Sequence, residues 1–471
     1  MNRIFTAIML ASVGAVVSVH GQNARALDLA GAMWPADSIF DIARTRATHD
    51  NEAWWHNFGD ATLDTLVALG EKNNYNAAAA YRRIAIARSQ LGEARSAWFP
   101  QLGISAGYTR EGISGRTASR NGERSTMSYF NAGANLSWEI DVFGKVARQV
   151  REAQKYVKLS AAEYGSVMIA LQAEIATAYI NLCVSRRQLS IAHFHSDNQK
   201  QLLAVVESRH KAGLASKLEV AQARTLYYST VATVPMLEAS IESAYNSIAV
   251  LTGAMPGELP QSIYTEKPLP IRVPLPDMGV PADLLRRRPD IAEAERNIEI
   301  AAAAVGIAKS EYLPSLSLNA SIGTQAHNFG DLFDRQSLAY SVAPTLSWTL
   351  FDGLARRNTA AAARETLEAQ VDNYNMTVLT AVEEVRNAVN YYKGSQEHCL
   401  RLEKVLENCR EEVEKSVDLY KQGLTIFTNV VDAQQDYLSY QNSLVQARGA
   451  SLLYVIQLYK ALGGGWVEDI E

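Results

Sequence analysis

"LSWTLFDG", Leu346–Gly353, is nearly the same phrase as "LSWEIDVFG", Leu136–Gly144, about 210 residues earlier. Each holds Leu-Ser-Trp, further apolar residues, an Asp and a closing Gly. The surroundings repeat as well. "YRRIAIARSQLGEARSAWFPQL" (Tyr81–Leu102) resembles "ERNIEIAAAAVGIAKSEYLPSL" (Glu295–Leu316), with Arg82 on Arg296, Gly92 on Gly306 and Pro100 on Pro314. "HKAGLASKLEVAQAR" (His210–Arg224) is matched by "YKQGLTIFTNVVDAQ" (Tyr420–Gln434), Gly213 falling on Gly423, and Leu251-Thr252-Gly253 falls on Ala461-Leu462-Gly463. These landmarks keep one order, so the chain is one unit written twice, over about 54–270 and 281–466.

Each unit reads as a helix ending at Pro100 or Pro314, a β-hairpin, a very long helix, a Gly turn and a further helix. The hairpins are expected over about 101–141 and 315–350. Strict alternation marks them. Leu102, Ile104, Ala106 and Tyr108 share one face, opposite Gly103, Ser105, Gly107 and Thr109; Leu316, Leu318, Ala320 and Ile322 repeat the pattern. The returning strands carry Phe130, Ala132, Ala134, Leu136, Trp138 and Ile140, then Leu338, Tyr340, Val342, Leu346, Trp348 and Leu350. Polar loops join each pair (112–125 and 327–334). The small polar face suits either bulk water beside a soluble sandwich or the wet lumen of a membrane barrel. Aromatic residues near the strand ends (Trp98, Phe99, Tyr129, Trp138, Trp348) favour the membrane.

No proline occurs from Lys145 to His210, nor from Leu354 onward. Apolar residues recur there at 3–4 spacing: Ala161, Tyr164, Met168, Leu171, Ile175, Ala178, Leu182 and Leu189 in the first unit. In the second, Leu367, Val371, Tyr374, Val378, Ala381, Val385, Ala388, Tyr392, Cys399, Leu402, Leu406, Cys409 and Val413 make a coiled-coil seam in the same register. Each such helix is about 66 residues, roughly 100 Å long. A helix of about 36 residues is expected from Gly213 to Gly253, and another of about 31 from Pro281 to Pro314.

Composition narrows the class. Of 471 residues, 48% are hydrophobic and 20% charged, which excludes a disordered chain and a polytopic helical membrane protein. A net charge of −5 gives no reason to expect nucleic acid as a partner. Residues 1–26 read as an export signal: Arg3, an apolar run over Ile4–Val19, and a small-x-small site at Ala24–Ala26. No Cys follows that run, and no later apolar run reaches the ~18 residues of a membrane helix. Cys399 and Cys409, ten residues apart on a helix, stand about 15 Å apart, too far to bond, and the three cysteines read as core residues or free thiols. His193 and His195 do not share a helix face, which argues against a metal pair. "LLRRRPDI" tempts a phosphate reading, yet no Gly-rich loop accompanies it, and it reads as the junction opening the second unit; its counterpart "NNYN" (Asn73–Asn76) has no Arg. No Walker loop, GxSxG or HExxH is present, and nothing supports an enzyme.

Four membrane strands cannot stand alone, because their edges would leave N–H and C=O groups unpaired in lipid. Closure needs further copies. Two would give eight strands around a filled interior; three would give twelve around a water-filled hole. A homotrimer is the expectation.

With those pieces in hand, the chain resembles the TolC-like outer-membrane factor family, in its NodT-type multidrug-efflux branch, over about 54–466. The resemblance rests on "WWHNFGDATLD" (Trp54–Asp64), "PADLLRRRPDIAEAE" (Pro281–Glu295), "SWTLFDG", the "YKQGL" turn with "VVDAQ", and "YKALGGGW" (Tyr459–Trp466). It implies mixed α and β architecture: a trimeric outer-membrane β-barrel, four strands per chain and twelve in total, continued by a long α-helical periplasmic coiled-coil barrel. It implies an exit duct in a tripartite pump, with a periplasmic membrane-fusion adaptor, an inner-membrane RND-type transporter and outer-membrane lipid as partners, and with no cofactor and no chemistry of its own. A duct for polypeptide secretion shares the architecture; a non-channel periplasmic adaptor would not need the two hairpins. By the same resemblance Gly213 and Gly423 are tip turns deep in the periplasm, and Tyr420, Thr428, Asp432 and Gln435 are the periplasmic gate candidates. Many relatives carry Arg where Gln435 stands, and that departure argues against a charged Asp–Arg lock there. Gly144 and Gly353 mark strand-to-helix junctions, where glycine permits the change of backbone conformation.

Overall fold

The computed structural model describes residues 53–113, 125–265, 267, 269, 273, 275 and 287–464. The expected export signal, most of the loop over 112–125, the 281–286 part of the second-unit junction and Trp466 lie outside the described residues. The elements run α1 (Ala61–Asn73), α2 (Tyr75–Ser96), β1 (Gln101–Ile113), β2 (Ser125–Ile140), α3 (Lys145–Lys211), α4 (Lys217–Val231), α5 (Val234–Leu251), α6 (Pro289–Ser310), β3 (Ser315–Ala326), β4 (Leu338–Ser347), α7 (Ala355–Lys421) and α8 (Phe427–Ala461).

Two compact units form. The first holds Ala87–Val157 and Ala294–Met376, with one antiparallel sheet in the order β1-β2-β3-β4. Its register puts the alternation to use. Leu102 faces Leu136, Ile104 faces Ala134 and Tyr108 faces Phe130; Ala134 then faces Ile322, and Ile322 faces Tyr340. The apolar residues of the alternation that lie in the sheet thus share one face, on which Leu102, Ile104, Ile322, Tyr340, Val342 and Leu346 are exposed while Phe130, Leu136, Leu316 and Leu318 are half-buried. On the other face Gly133 meets Gly323, where a Cβ on Gly133 would come 2.7 Å from the Ile322 carbonyl oxygen, so the strands close only over glycine.

The repeated Asp-Gly phrase is explained at the two junctions. Asp141 accepts from the backbone N–H groups of Val146 (3.1 Å) and Ala147 (2.9 Å), satisfying the free donors that open α3. Asp352 accepts from the backbone N–H of Arg356 (3.2 Å) and from its Nε (2.6 Å) at the start of α7. Gly144 (φ 75°) and Gly353 (φ 64°) take the left-handed conformation between strand and helix, and Leu354 follows at φ 73°. Trp348 donates to the Tyr312 carbonyl oxygen at 3.1 Å.

The second unit holds the described parts of Trp34–Ile86, Lys158–Glu293 and Thr377–Glu471. Its core gathers Trp54, Leu63, Leu66, Ile175, Leu182, Ile248, Ile456 and Tyr459. Ile175 and Val385, at equivalent points of the two seams, are both buried, and the rest of the second seam from Leu367 to Val413 is buried or half-buried. One window of α3 is long and apolar enough by composition to cross a bilayer, although no unbroken apolar run marks it in the sequence; more than half of it is buried inside the unit, where its apolar side chains serve packing. Cys183, Cys399 and Cys409 are buried and free. His195 is buried and His193 exposed, so the two part company on the helix.

Two expectations are corrected. The single helix expected from Gly213 to Gly253 is two, α4 and α5, interrupted at Ala232–Thr233. Pro235 sits in the first turn of α5: lacking an N–H, it cannot bond the carbonyl four residues back, and its ring crowds that carbonyl. The equivalent stretch of the second unit has no proline and stays one helix, α8. The second hairpin was expected to reach Leu350, but β4 ends at Ser347, where its ladder with β3 ends at Ser315. Trp348 and Leu350 have no strand beside them among the described residues.

Candidate functional site

The two Gly turns are built alike. At the first, the Gly213 N–H donates to the His210 carbonyl oxygen (2.9 Å) and the Leu214 N–H to that of Arg209 (2.8 Å). At the second, Gly423 donates to Tyr420 (3.0 Å) and Leu424 to Leu419 (2.9 Å). This pair of bonds closes a helix when the penultimate residue is left-handed, and Gly213 (φ 77°) and Gly423 (φ 76°) supply that at no steric cost. The helices beyond the two turns start differently. Ser216 and Glu219 form a reciprocal cap on α4, the Glu219 N–H donating to Ser216 Oγ (3.2 Å) and the Ser216 N–H to Glu219 Oε1 (3.3 Å). α8 starts from Ile426 with no side-chain cap.

Beneath the turns, Leu202, Val206, Val220, Ala223, Tyr420, Phe427 and Val430 pack into one apolar cluster drawn from both helical hairpins. Tyr420 ties the two together. Its ring is buried, tilted 58° to that of Phe427 with centroids 5.0 Å apart, and the Arg209 guanidinium lies 5.0 Å above its ring centroid. Its hydroxyl donates to Glu219 Oε2 at 2.6 Å. Arg209 Nη1 donates to the Lys421 carbonyl oxygen at 3.0 Å. Burial, and then the Glu219 carboxylate, push the Tyr420 hydroxyl up to about 12. Burial works the other way on Glu219, but hydrogen bonds from Tyr420 and Ser216 and the charge of Arg209 outweigh it and hold its carboxyl below the usual carboxylate range.

Of the four gate candidates, Tyr420 is thus buried in an inter-hairpin contact, and Thr428 accepts a longer bond from Gln222 Nε2 (3.3 Å). Asp432 and Gln435 are exposed on α8 and take no part in that contact. Three residues of the contact, Arg209, Glu219 and Gln222, were not foreseen, because they lie at the first turn and the expected gate lay wholly at the second. The Ser216-x-x-Glu219 capping spacing was visible in the sequence and would have pointed to Glu219. Among the described residues no group of three or more His, Cys, Asp or Glu is placed to hold a metal ion. The arrangement can fasten or release two helix pairs.

A family model described as outer membrane efflux protein matches residues 67–254 and 280–464. Over 98% of the chain and 97% of the relative, the sequence is 30% identical to the pyoverdine export outer membrane protein OpmQ of Pseudomonas aeruginosa. It is 27% identical to the cation efflux system protein CusC of Escherichia coli, covering 89% of each chain. Among solved structures, the outer-membrane channel OprN superposes with a TM-score of 0.86 at 30% identity, over 94% of this chain and 98% of that one.

Proposed function

Since this chain belongs to the outer membrane efflux protein family, we propose that three copies form the exit duct of a tripartite efflux system. The chain is an outer-membrane channel protein with a periplasmic helical part, and it is not an enzyme. Three copies give twelve strands, a barrel wide enough to stay wet. A periplasmic membrane-fusion adaptor and an inner-membrane RND-type transporter deliver the cargo, and the duct conducts it passively. The names of the relatives, which refer to pyoverdine, toluene and cations, favour small molecules over polypeptides as cargo.

The observation that carries this reading is the sheet: four strands, one apolar face with many exposed side chains, and two edges without partners among the described residues. Unpaired edges in lipid cost several kcal/mol per orphaned group, so the sheet is complete only in an assembly. In this reading Tyr420, Thr428, Asp432 and Gln435 serve as the periplasmic gate, with Gly213 and Gly423 as tip turns. The contact of Tyr420 with Glu219 supports a closed state held by hydrogen bonds within each chain. The test is sedimentation and native mass in detergent, combined with gene deletion and a drug-susceptibility panel with copurified partners identified. A monomeric particle, or a deletion strain with unchanged susceptibility to every compound, argues against the duct.

A further inference from the structure

The internal repeat carries information about the contact between copies. Shifting β1 by 214 residues places it on β3, and shifting β2 by 210 places it on β4. These shifts turn the pair Leu102–Leu136 into Leu316–Leu346 and Gln101–Ser137 into Ser315–Ser347, and both resulting pairs are present in the observed ladder. The two hairpins therefore share one register, and the shifts are those of the structure, not only of the sequence.

The chain also contains the pairing between hairpins, once: β2 against β3, with Leu136 opposite Ala320, Ala134 opposite Ile322 and Ile140 opposite Leu316. Its counterpart is β4 against a copy of β1, and that pairing has to come from another subunit. Applying the same shifts, we infer that β4 of one subunit pairs antiparallel with β1 of the next in a single register, in which Leu346 lies opposite the partner's Ala106. The same register puts Pro344 opposite the partner's Tyr108, Trp348 opposite the partner's Ile104 and Leu350 opposite the partner's Leu102. This inference rests on the multi-chain barrel proposed above and specifies its seam.

Two independent features agree with this register. The first is the length of β4. Within the first hairpin the β1–β2 ladder ends at Gln101–Ser137, yet β2 runs on to Ile140, because Trp138, Glu139 and Ile140 pair with β3. Within the second hairpin the ladder ends at the equivalent pair, Ser315–Ser347, and there β4 stops. The segment Trp348–Leu350 has the alternation of a strand and lacks only the neighbour that the partner's Leu102–Ile104 provides. The second is the face. Ile104 (91% exposed), Leu102 (77%) and Leu350 (77%) are among the most open apolar side chains of the protein. The inferred register puts each of them against apolar residues on the same side of the sheet, continuing the face built by the in-chain pairs. A slip of one residue would put the apolar side chains of the partner's β1 on the opposite side of the sheet from Leu346, whose side is fixed by its pairing with Leu316.

Intersubunit disulfides test the register. Directly opposite residues in an antiparallel pair have Cβ atoms about 4.5–5.5 Å apart and diagonal ones about 7–8 Å, while a disulfide requires about 3.5–4.5 Å. In the full-length protein in isolated outer membranes, Ala106→Cys with Leu346→Cys is oxidised and run on non-reducing gels. The slipped pairs Ile104→Cys with Leu346→Cys and Tyr108→Cys with Leu346→Cys are run beside it. The native cysteines are buried and stay in place. The expected result is a ladder closing at the covalent oligomer, formed at least about fivefold faster for the 106/346 pair than for either slipped pair. The pair Ile104→Cys with Trp348→Cys is a second reading of the same register if the first fails to assemble. Cross-linking that is as fast or faster in a slipped pair overturns the register while leaving the barrel standing. Dimers from Ala106→Cys or Leu346→Cys alone overturn the β4–β1 seam, since like edges would then meet. A chain that sediments as a monomer and cross-links at no pair overturns both the seam and the duct.

Discussion

Arg288 donates from Nη1 to the backbone carbonyl oxygen of Ala461 at 2.7 Å, and Asn74 donates from Nδ2 to that of Leu251 at 2.9 Å. The two pairs are related by the shifts that relate the hairpins. In each repeat, the residue just before the helix that leads into the hairpin (α2 or α6) fastens the end of that repeat's closing helix (α5 or α8), whose last carbonyls have no helical partner. Asn74 does this with a neutral amide while also capping α2 through Asn76 and Ala77. Arg288 does it with a buried guanidinium that also pairs with Asp290 (2.7 Å) and Glu384 (2.7 Å). The basic run "RRRPD" is thus a structural fastening in its last arginine, and the absence of Arg from "NNYN" reflects a different donor for the same acceptor.

Removing either donor leaves a carbonyl without that partner, the Ala461 carbonyl buried and the Leu251 carbonyl half-buried. Arg288→Ala also strips two carboxylates of their cation; because both are substantially exposed, the cost is set near the lower end of that for a broken buried pair, about 3 kcal/mol. Asn74→Ala loses a helix cap and the carbonyl bond, about 1–2 kcal/mol. Thermal unfolding of the purified protein in detergent checks the order: Arg288→Ala lowers Tm more than Asn74→Ala, and Arg287→Ala leaves it near the parent value.

The hydrogen bond from Tyr420 to Glu219 joins the two helical hairpins near their turns. Tyr420→Phe deletes the hydroxyl but keeps the ring against Phe427 and under Arg209, so it isolates the bond. A charge-assisted bond at a partly exposed site contributes about 1 kcal/mol, roughly a fivefold shift in an opening equilibrium. Single-channel recording in planar bilayers is expected to show higher conductance or longer open times for Tyr420→Phe and for Glu219→Gln, and the double variant no more than the stronger single. Two singles that add in full would mean that the two side chains act separately.

Acid should release the same contact. The Glu219 carboxyl is held below its ordinary value, so its contribution is complete above about pH 4.5 and is lost as the pH falls through the lowered value. The Tyr420 hydroxyl, raised to about 12, contributes fully below its ordinary value of about 10 and is lost only as the pH climbs toward 12. Between those limits the contact is indifferent to pH. Conductance of the parent channel rises on acidification from pH 6 to pH 3.5, and Glu219→Gln flattens that rise; an equal rise in both assigns the acid response to other carboxylates.

The repeat, the hairpins and the two long helices were legible because each rests on a local pattern: alternation for the strands, 3–4 spacing without proline for α3 and α7. The break at Pro235 was not expected because the unbroken counterpart in the second unit invites a single helix; the residue itself was the better guide. The end of β4 was not legible in the same way. Trp348 and Leu350 have strand-like spacing, but a strand needs a neighbour, and none stands beside them among the described residues. The fastening by Glu219 lay in the first unit, 201 residues from Tyr420, at a distance no local pattern spans.

Asp432 offers the last test. It is exposed on α8, one turn beyond Thr428, with the uncharged Gln435 on the same helical face. Its burden differs from that of Tyr420: it has no hydrogen bond or ion pair to another described side chain, so within the proposed gate its influence is through charge on whatever passes. In the proposed trimer, three such carboxylates facing a common axis would favour cations and disfavour anions, an effect that salt screens over about 10 Å at 0.1 M. Asp432→Ala is expected to lower the cation-over-anion permeability ratio, read from the reversal potential in a KCl gradient, by at least about twofold at low salt and little at 1 M. It is also expected to raise conductance or antibiotic leakage through relief of repulsion and bulk. Gln222→Ala, at the equivalent position of the first hairpin, leaves the ratio unchanged, because no charge is removed. An Asp432→Ala channel with the parent's reversal potential at low salt would place Asp432 away from the ion path and confine the gate to Tyr420 and its partners.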